Sequence, residues 1–314
     1  MPKPLDPAIT QILTVLPGFT PPGMTPTACR DLLRAIAAAR ADQPLPQPES
    51  VEDTRLPDGP AIRIYRPAAK QVPTVVFFHG GGWVGGDLET HDRQCRSMSV
   101  DMSVVVVSVD YRRPPEAPFP AAFDDAMLAT RWVFANAKTL GGDANRIGVA
   151  GDSAGGNLAA AVAIAARDAG LRLAAQLLVY PVTDVIGGFG DSAVNRKYPS
   201  REQNAKGYFL TLDVMRWFAD YYLPDRSRQS DPRVSPICAS RLEGVAPAVV
   251  CSAYFDPLRD EGIAYAGALR AASVLVREHL GEGLIHGFFG MGGAVPAAAE
   301  EVRRARTDFR ELLG

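Results

Sequence analysis

The sequence predicts an α/β fold: a mostly parallel central sheet of about eight strands, helices on both faces, and a helical cap. Three observations carry this. Short, wholly apolar runs recur along the chain, as strands buried on both faces require. Helical stretches separate most of those runs. The 314 residues are 47% apolar and 22% charged, the balance of a globular chain with a large core.

The elements follow in order. Asp6 followed by Pro7 starts a helix whose apolar face is Ile9, Ile12, Leu13 and Leu16. Thr25 and Pro26 start a second, with Cys29, Leu32, Leu33 and Ile36 as its stripe. Pro44, Pro46 and Pro48 end this region, so residues 1–48 form helices that must lie on something larger. Val51–Leu56 and Ala61–Arg66 flank Pro57-Asp58-Gly59 and read as a β-hairpin. Buried strands follow at Val75–Phe78, Val104–Val109, Ile147–Ala150, Ala174–Val179, Ala248–Cys251 and Val274–Val276. Helices are expected at Ala121–Ala135, Ala154–Ala169, Gly262–Ala272 and Pro296–Leu313. Between Val179 and Ala248 no strand is visible, only the aromatic-rich helix Leu212–Tyr222. Residues 181–240 are therefore read as an insertion beyond the strands' carboxyl ends, where such sheets bind ligands. With residues 1–48 it would cap a core formed by 49–180 and 241–314.

Charge and hydropathy narrow the function. The chain carries 33 basic and 35 acidic residues, net −2, with no basic block to attract nucleic acid or anionic lipid. Its longest strongly apolar stretch, Leu158 to Ala166, falls well short of the ~20 residues that span a bilayer. The opening MPKPLDPAIT has no apolar signal core, so a cytoplasmic protein is expected. Cys29, Cys95, Cys238 and Cys251 lack metal-clamp or redox spacing and read as small buried apolar residues; no metal site is expected.

Gly151-Asp152-Ser153-Ala154-Gly155-Gly156 is a G-x-S-x-G sequence between a strand and a helix of small residues. That is the setting of a nucleophile elbow, where a strained turn exposes a serine hydroxyl to a base. Taken alone, it also suits a glycine-rich turn with a capping serine. His79-Gly80-Gly81-Gly82-Trp83, directly after a strand, weighs against that plainer reading. A loop of this composition is the known companion of the elbow in lipases and esterases. Residues without side chains can aim N–H groups at a tetrahedral oxyanion, so Gly81, Gly82 and Ala154 are the expected donors. His79, Gly80 and Asp152 are expected to support the loop. A phosphate loop is the competing reading, but neither phosphate-binding glycine pattern is present.

Four histidines compete for the role of base. His79 belongs to the glycine loop, His91 reads as a solvated surface residue, and His279 lies on an alternating strand as a half-buried structural side chain. His286 follows the last strand at its carboxyl end and is the expected base. In elbow hydrolases the acid stands between serine and histidine in sequence. Asp256, after the Ala248–Cys251 strand, is expected to serve; Asp184 is the alternative, and Asp260 reads as a cap or ion-pair residue.

The motif set resembles that of the bacterial hormone-sensitive-lipase family of esterases: HGGGW at 79–83, GDSAGGNL at 151–158, DPLRDEG at 256–262 and HGF at 286–288. Gly86–His91 and Asp110-Tyr111-Arg112 with Pro118-Phe119-Pro120 are also similar. The resemblance spans nearly the whole chain. It implies an α/β-hydrolase core, a two-segment helical cap, and a carboxylesterase acting on small-molecule esters of short to medium acyl chains without cofactor, with a homodimer through the last strand. Arg113, Pro114 and Ala117 depart from the family pattern at positions outside the triad, and Gly187–Gly190 lengthens the insertion. An amidase on the same machinery, or a non-catalytic binding homologue, is the alternative; retention of His286 argues against the second.

Trp83, Met215, Phe218 and Phe288 are the expected walls of an acyl pocket. At helical spacing Met215, Phe218 and Tyr222 share one face, with Trp217 and Tyr221 beside it. The same residues would equally serve to dock the cap by packing alone.

Overall fold

The computed structural model describes residues 3–15, 23–40 and 43–314. Its strands are β1 (Ser50–Arg55), β2 (Ala61–Arg66), β3 (Val72–Phe78), β4 (Val105–Asp110), β5 (Gly142–Asp152), β6 (Ala175–Val179), β7 (Ala248–Phe255) and β8 (Val276–Ile285). They form one sheet in the order β1-β2-β4-β3-β5-β6-β7-β8. The hairpin β1–β2 is antiparallel and joins β4 antiparallel; every other pairing is parallel.

The helices are α1 (Pro7–Val15), α2 (Pro26–Ala38), α3 (Asp92–Met102), α4 (Ala121–Asn136), α5 (Ala154–Asp168), α6 (Ser192–Asn195), α7 (Ser200–Gln203), α8 (Leu212–Tyr222), α9 (Arg259–Ala271) and α10 (Pro296–Leu313). Alternation along the strands divides the core. Val76 and Phe78 face a cluster with Phe123 of α4, Leu158 of α5 and Tyr265 of α9. Val75 and Phe77 face the other, with Ile9 of α1, Met98 of α3 and Phe309 of α10. Both sheet faces are thus covered. No helix among the described residues is long and apolar enough to cross a membrane.

Both N-terminal caps form as their residues imply: Ala8 N donates to Asp6 Oδ1 at 2.8 Å and Ala28 N to Thr25 Oγ1 at 3.1 Å. Leu16, expected on the first helix, lies outside the described residues. Three expectations are corrected. Helix α3 has no counterpart in the sequence reading, because its buried face, Cys95, Met98, Ser99 and Met102, is built from weakly apolar types among charged neighbours. Strand β8 runs to Ile285, past Gly281 and Gly283, because pairing with β7 resumes at Phe255 after a register shift. Cys238 is only half-buried, and all four cysteines are free.

Candidate active site

Strand β5 ends at Asp152 and α5 begins at Ala154, leaving Ser153 alone in the turn with φ 57° and ψ −119°. This left-handed backbone is strained for a residue with a side chain. It is held on both sides: Ser153 N donates to Val179 O at 2.9 Å, and Asn157 N donates to Ser153 O at 3.0 Å. The turn fits only because of its glycines. A Cβ on Gly155 would stand 2.0 Å from Phe78 O, inside strand β3.

His286 follows β8, and Asp256 follows the neighbouring β7. The three side chains form a line: His286 Nε2 lies 3.0 Å from Ser153 Oγ, and His286 Nδ1 lies 2.7 Å from Asp256 Oδ2. Asp256 is fully buried, and its second oxygen accepts from Leu258 N at 2.8 Å. A carboxylate at Nδ1 keeps the proton there and leaves Nε2 as the acceptor that faces the serine. Asp184 is engaged elsewhere, accepting from Tyr198 OH at 2.9 Å and Ile186 N at 2.9 Å. Asp260 accepts from Ser200 N at 2.7 Å and pairs with Arg259.

Gly81 and Gly82, with φ of 113° and 60°, line the same cavity as Ser153. Ala154 is the first residue of α5, so its N–H has no acceptor within the helix. The loop is fixed from below. Gly80 N donates to Asp152 Oδ1 at 3.0 Å, which ties the glycine loop to the elbow. His79 is fully buried, its Nδ1 2.8 Å from Gly80 O and its ring stacked 4.2 Å from Tyr111. Burial, with His91 and Arg113 nearby, pushes the His79 imidazole down to about 3, so it stays neutral.

His91 corrects the sequence reading. It is largely buried, with Nε2 3.2 Å from Asp152 Oδ1, because the loop folds its polar segment back under the elbow. Burial alone would raise the Asp152 carboxyl; the surrounding imidazoles, His91 first among them, outweigh it and hold Asp152 below the usual carboxylate range. His279 is buried rather than half-buried, its Nε2 2.8 Å from Asp308 Oδ2 on α10.

A cavity of about 1250 Å³ opens over Ser153. Trp83, Met215 and Phe218 line it, with Trp83 also stacked on Tyr222 at 4.1 Å. Phe288 does not. It is buried against Tyr180, and the turn after His286 presents Phe289 to the cavity instead. Trp217 and Tyr221 are only partly buried, beside the lining face of α8.

Two contributors were not legible beforehand. Tyr180 packs 4.4 Å from the His286 ring, at the end of β6. Arg201 and Glu261 form a wholly buried ion pair at 2.5 Å that fastens α7 to α9 beside Asp256. Burial pushes the Glu261 carboxyl up to about 7 against the pull of Arg201. Among the described residues no three His, Cys, Asp or Glu side chains gather as metal ligands.

A protein-family profile described as alpha/beta hydrolase fold matches residues 75–290. Esterase LipI of Mycobacterium tuberculosis is 39% identical over 98% of this chain and 95% of its own length. Ethyl acetate hydrolase of Pseudomonas putida is 36% identical over 85% of this chain and 83% of its own. A solved thermostable esterase from Pseudomonas putida ECU1011 superposes with a TM-score of 0.90 at 36% identity, covering 99% of this chain and 98% of that one.

Proposed function

This chain belongs to the alpha/beta hydrolase family, among the esterases of the hormone-sensitive-lipase group, and on that premise we propose a serine carboxylesterase acting on short- to medium-chain esters. The observation that carries the reading is the continuous line from Ser153 through His286 to Asp256, at 3.0 Å and 2.7 Å. Ser153 Oγ attacks the ester carbonyl while His286 Nε2 takes its proton. Asp256 holds the ring and stabilises the imidazolium. The oxyanion accepts from the N–H groups of Gly81, Gly82 and Ala154; losing one such donor costs about a hundred- to a thousandfold in turnover. His286 then protonates the departing alcohol, and water, deprotonated by the same nitrogen, cleaves the acyl-enzyme. The reaction needs no cofactor, and we place it in the cytoplasm.

In this reading, residues 1–48 and 181–240 serve as the cap, and 49–180 with 241–314 as the catalytic core. Met215 and Phe218 roof the acyl pocket. The test is a series of p-nitrophenyl esters from acetyl to palmitoyl, run with wild type and Ser153→Ala. Activity on the shorter esters should fall on the order of a millionfold in the variant, because serine and histidine act as a unit. A folded variant that kept a tenth of the wild-type rate would remove Ser153 from the nucleophile's role.

A further inference from the structure

We propose that the esters this site takes carry a carboxylate on their alcohol half, received by Arg40 and Gln94; the inference rests on the serine-esterase reading above. The cavity over Ser153 continues past His286 to both side chains. They meet at Gly290, on the turn Phe288–Gly290 that follows the histidine. Arg40 Nη1 donates to Gly290 O. A Cβ on Gly290 would stand 3.1 Å from Gln94 Nε2 and 3.3 Å from Arg40 Nη1, so both donors flank the same glycine.

Among the described residues, no carboxylate pairs with the charge in this corner. Two other arginines of the cavity wall have acidic partners, Arg303 with Glu300 and Arg306 with Asp101, whereas Arg310, farther along it, bonds to the carbonyls of Met102 and Gly314. Among the described residues Arg40 has no carboxylate partner. Its neighbour Arg93 donates to the carbonyls of Pro44, Arg40 and Gln43, so it adds positive potential while its own donors are occupied. Burial and Arg93 both pull the Arg40 pKa down, the mark of a cation with too little negative charge around it. A carboxylate placed here accepts from the guanidinium and the carboxamide, and a charged hydrogen bond in a shielded site is among the stronger ones.

Position assigns the half of the substrate. The corner is built on the turn that carries His286, which protonates the leaving oxygen. Phe218 lies instead over Gly82 in the glycine loop. The carboxylate therefore belongs to the leaving alcohol, and the substrate class is O-acylated hydroxy acids. Hydrolysis adds water across the ester bond and releases a carboxylic acid and a hydroxy acid.

The test compares 4-butanoyloxybenzoate with its neutral carboxamide, 4-butanoyloxybenzamide, in wild type, Arg40→Met, Arg40→Lys and Gln94→Leu. Wild type should prefer the carboxylate in kcat/KM by about tenfold or more, the scale of one charged hydrogen bond. Arg40→Met should abolish the preference, Gln94→Leu should reduce it, and Arg40→Lys should keep part of it. Raising the salt concentration should erode it in wild type, a readout that needs no variant. Equal rates on the two esters, or a preference that survives Arg40→Met, would overturn the proposal. A further arm uses p-nitrophenyl hemiadipate against p-nitrophenyl hexanoate. An Arg40-dependent preference confined to that pair would overturn the assignment to the alcohol half. Failure to hydrolyse either neutral ester would instead strike the serine-esterase reading, which keeps the two claims separable.

Discussion

Phe218 lies so close over Gly82 that a Cβ on the glycine would stand 2.2 Å from Cγ of the ring. The glycine has φ 60°, so it supplies both the left-handed backbone and the clearance that the ring takes up. One contact thereby links the insertion to the glycine loop that lines the cavity with Ser153. In the proposed reading, the acyl pocket and the oxyanion donors would therefore share a wall.

Met215 is next to Phe218 on that wall, and it should set how long an acyl chain fits. Each buried methylene contributes roughly 0.8 kcal/mol, so kcat/KM should climb severalfold per two-carbon step until the space is filled. The optimum is expected between butyrate and octanoate. Met215→Ala should move it towards longer chains, read from the p-nitrophenyl series. An unchanged profile with lowered thermal stability would reduce α8 to packing.

Asp256 and Asp184 are both buried, and their partners differ. Asp256→Asn should lower turnover by about ten-thousandfold, because an amide at Nδ1 favours the wrong tautomer. Asp184→Asn, which disturbs contacts to Tyr198 and Ile186 within the insertion, should leave turnover within about tenfold. The opposite ranking in steady-state kinetics would reassign the acid.

His79 makes stability depend on acid. Unfolded, the imidazole takes a proton near pH 6.5; buried in the loop, it does so only near 3. The unfolded chain therefore binds more protons in that window. The His79 contribution is present above pH 6.5 and is lost as the pH falls towards 3. One proton corresponds to a slope of at most about 1.4 kcal/mol per pH unit. Denaturant unfolding of wild type and His79→Asn at pH 7.0, 6.0 and 5.0 should show a shallower loss in the variant. Parallel curves would mean that His79 takes up a proton in the folded state as well.

Much of this architecture is legible in the sequence, because strand and helix periods, glycine turns and motif order are local. The α8 and α10 boundaries, the hairpin, and the elbow between β5 and α5 all follow from such patterns. What escapes depends on distant partners. His91 sits in a polar run that looks solvated, and only the fold brings Asp152 against it. Arg201 and Glu261 lie on separate segments with no shared pattern, yet they form the most buried ion pair beside the site. Phe288 and Phe289 are neighbours of one type, and the turn decides which of them meets the cavity. The weak apolar face of α3 hid a helix for the same reason: its burial comes from the sheet beneath it.

The most direct test is whether Ser153 Oγ is the atom that becomes acylated. A p-nitrophenyl alkylphosphonate, which stops at a stable adduct resembling the tetrahedral intermediate, reads this by mass spectrometry of the intact protein and its peptides. The expected result is one adduct per chain on the peptide containing Ser153, loss of esterase activity in step with labelling, and no labelling of Ser153→Ala. Labelling at another residue, or inactivation with Ser153 unmodified, would contradict it.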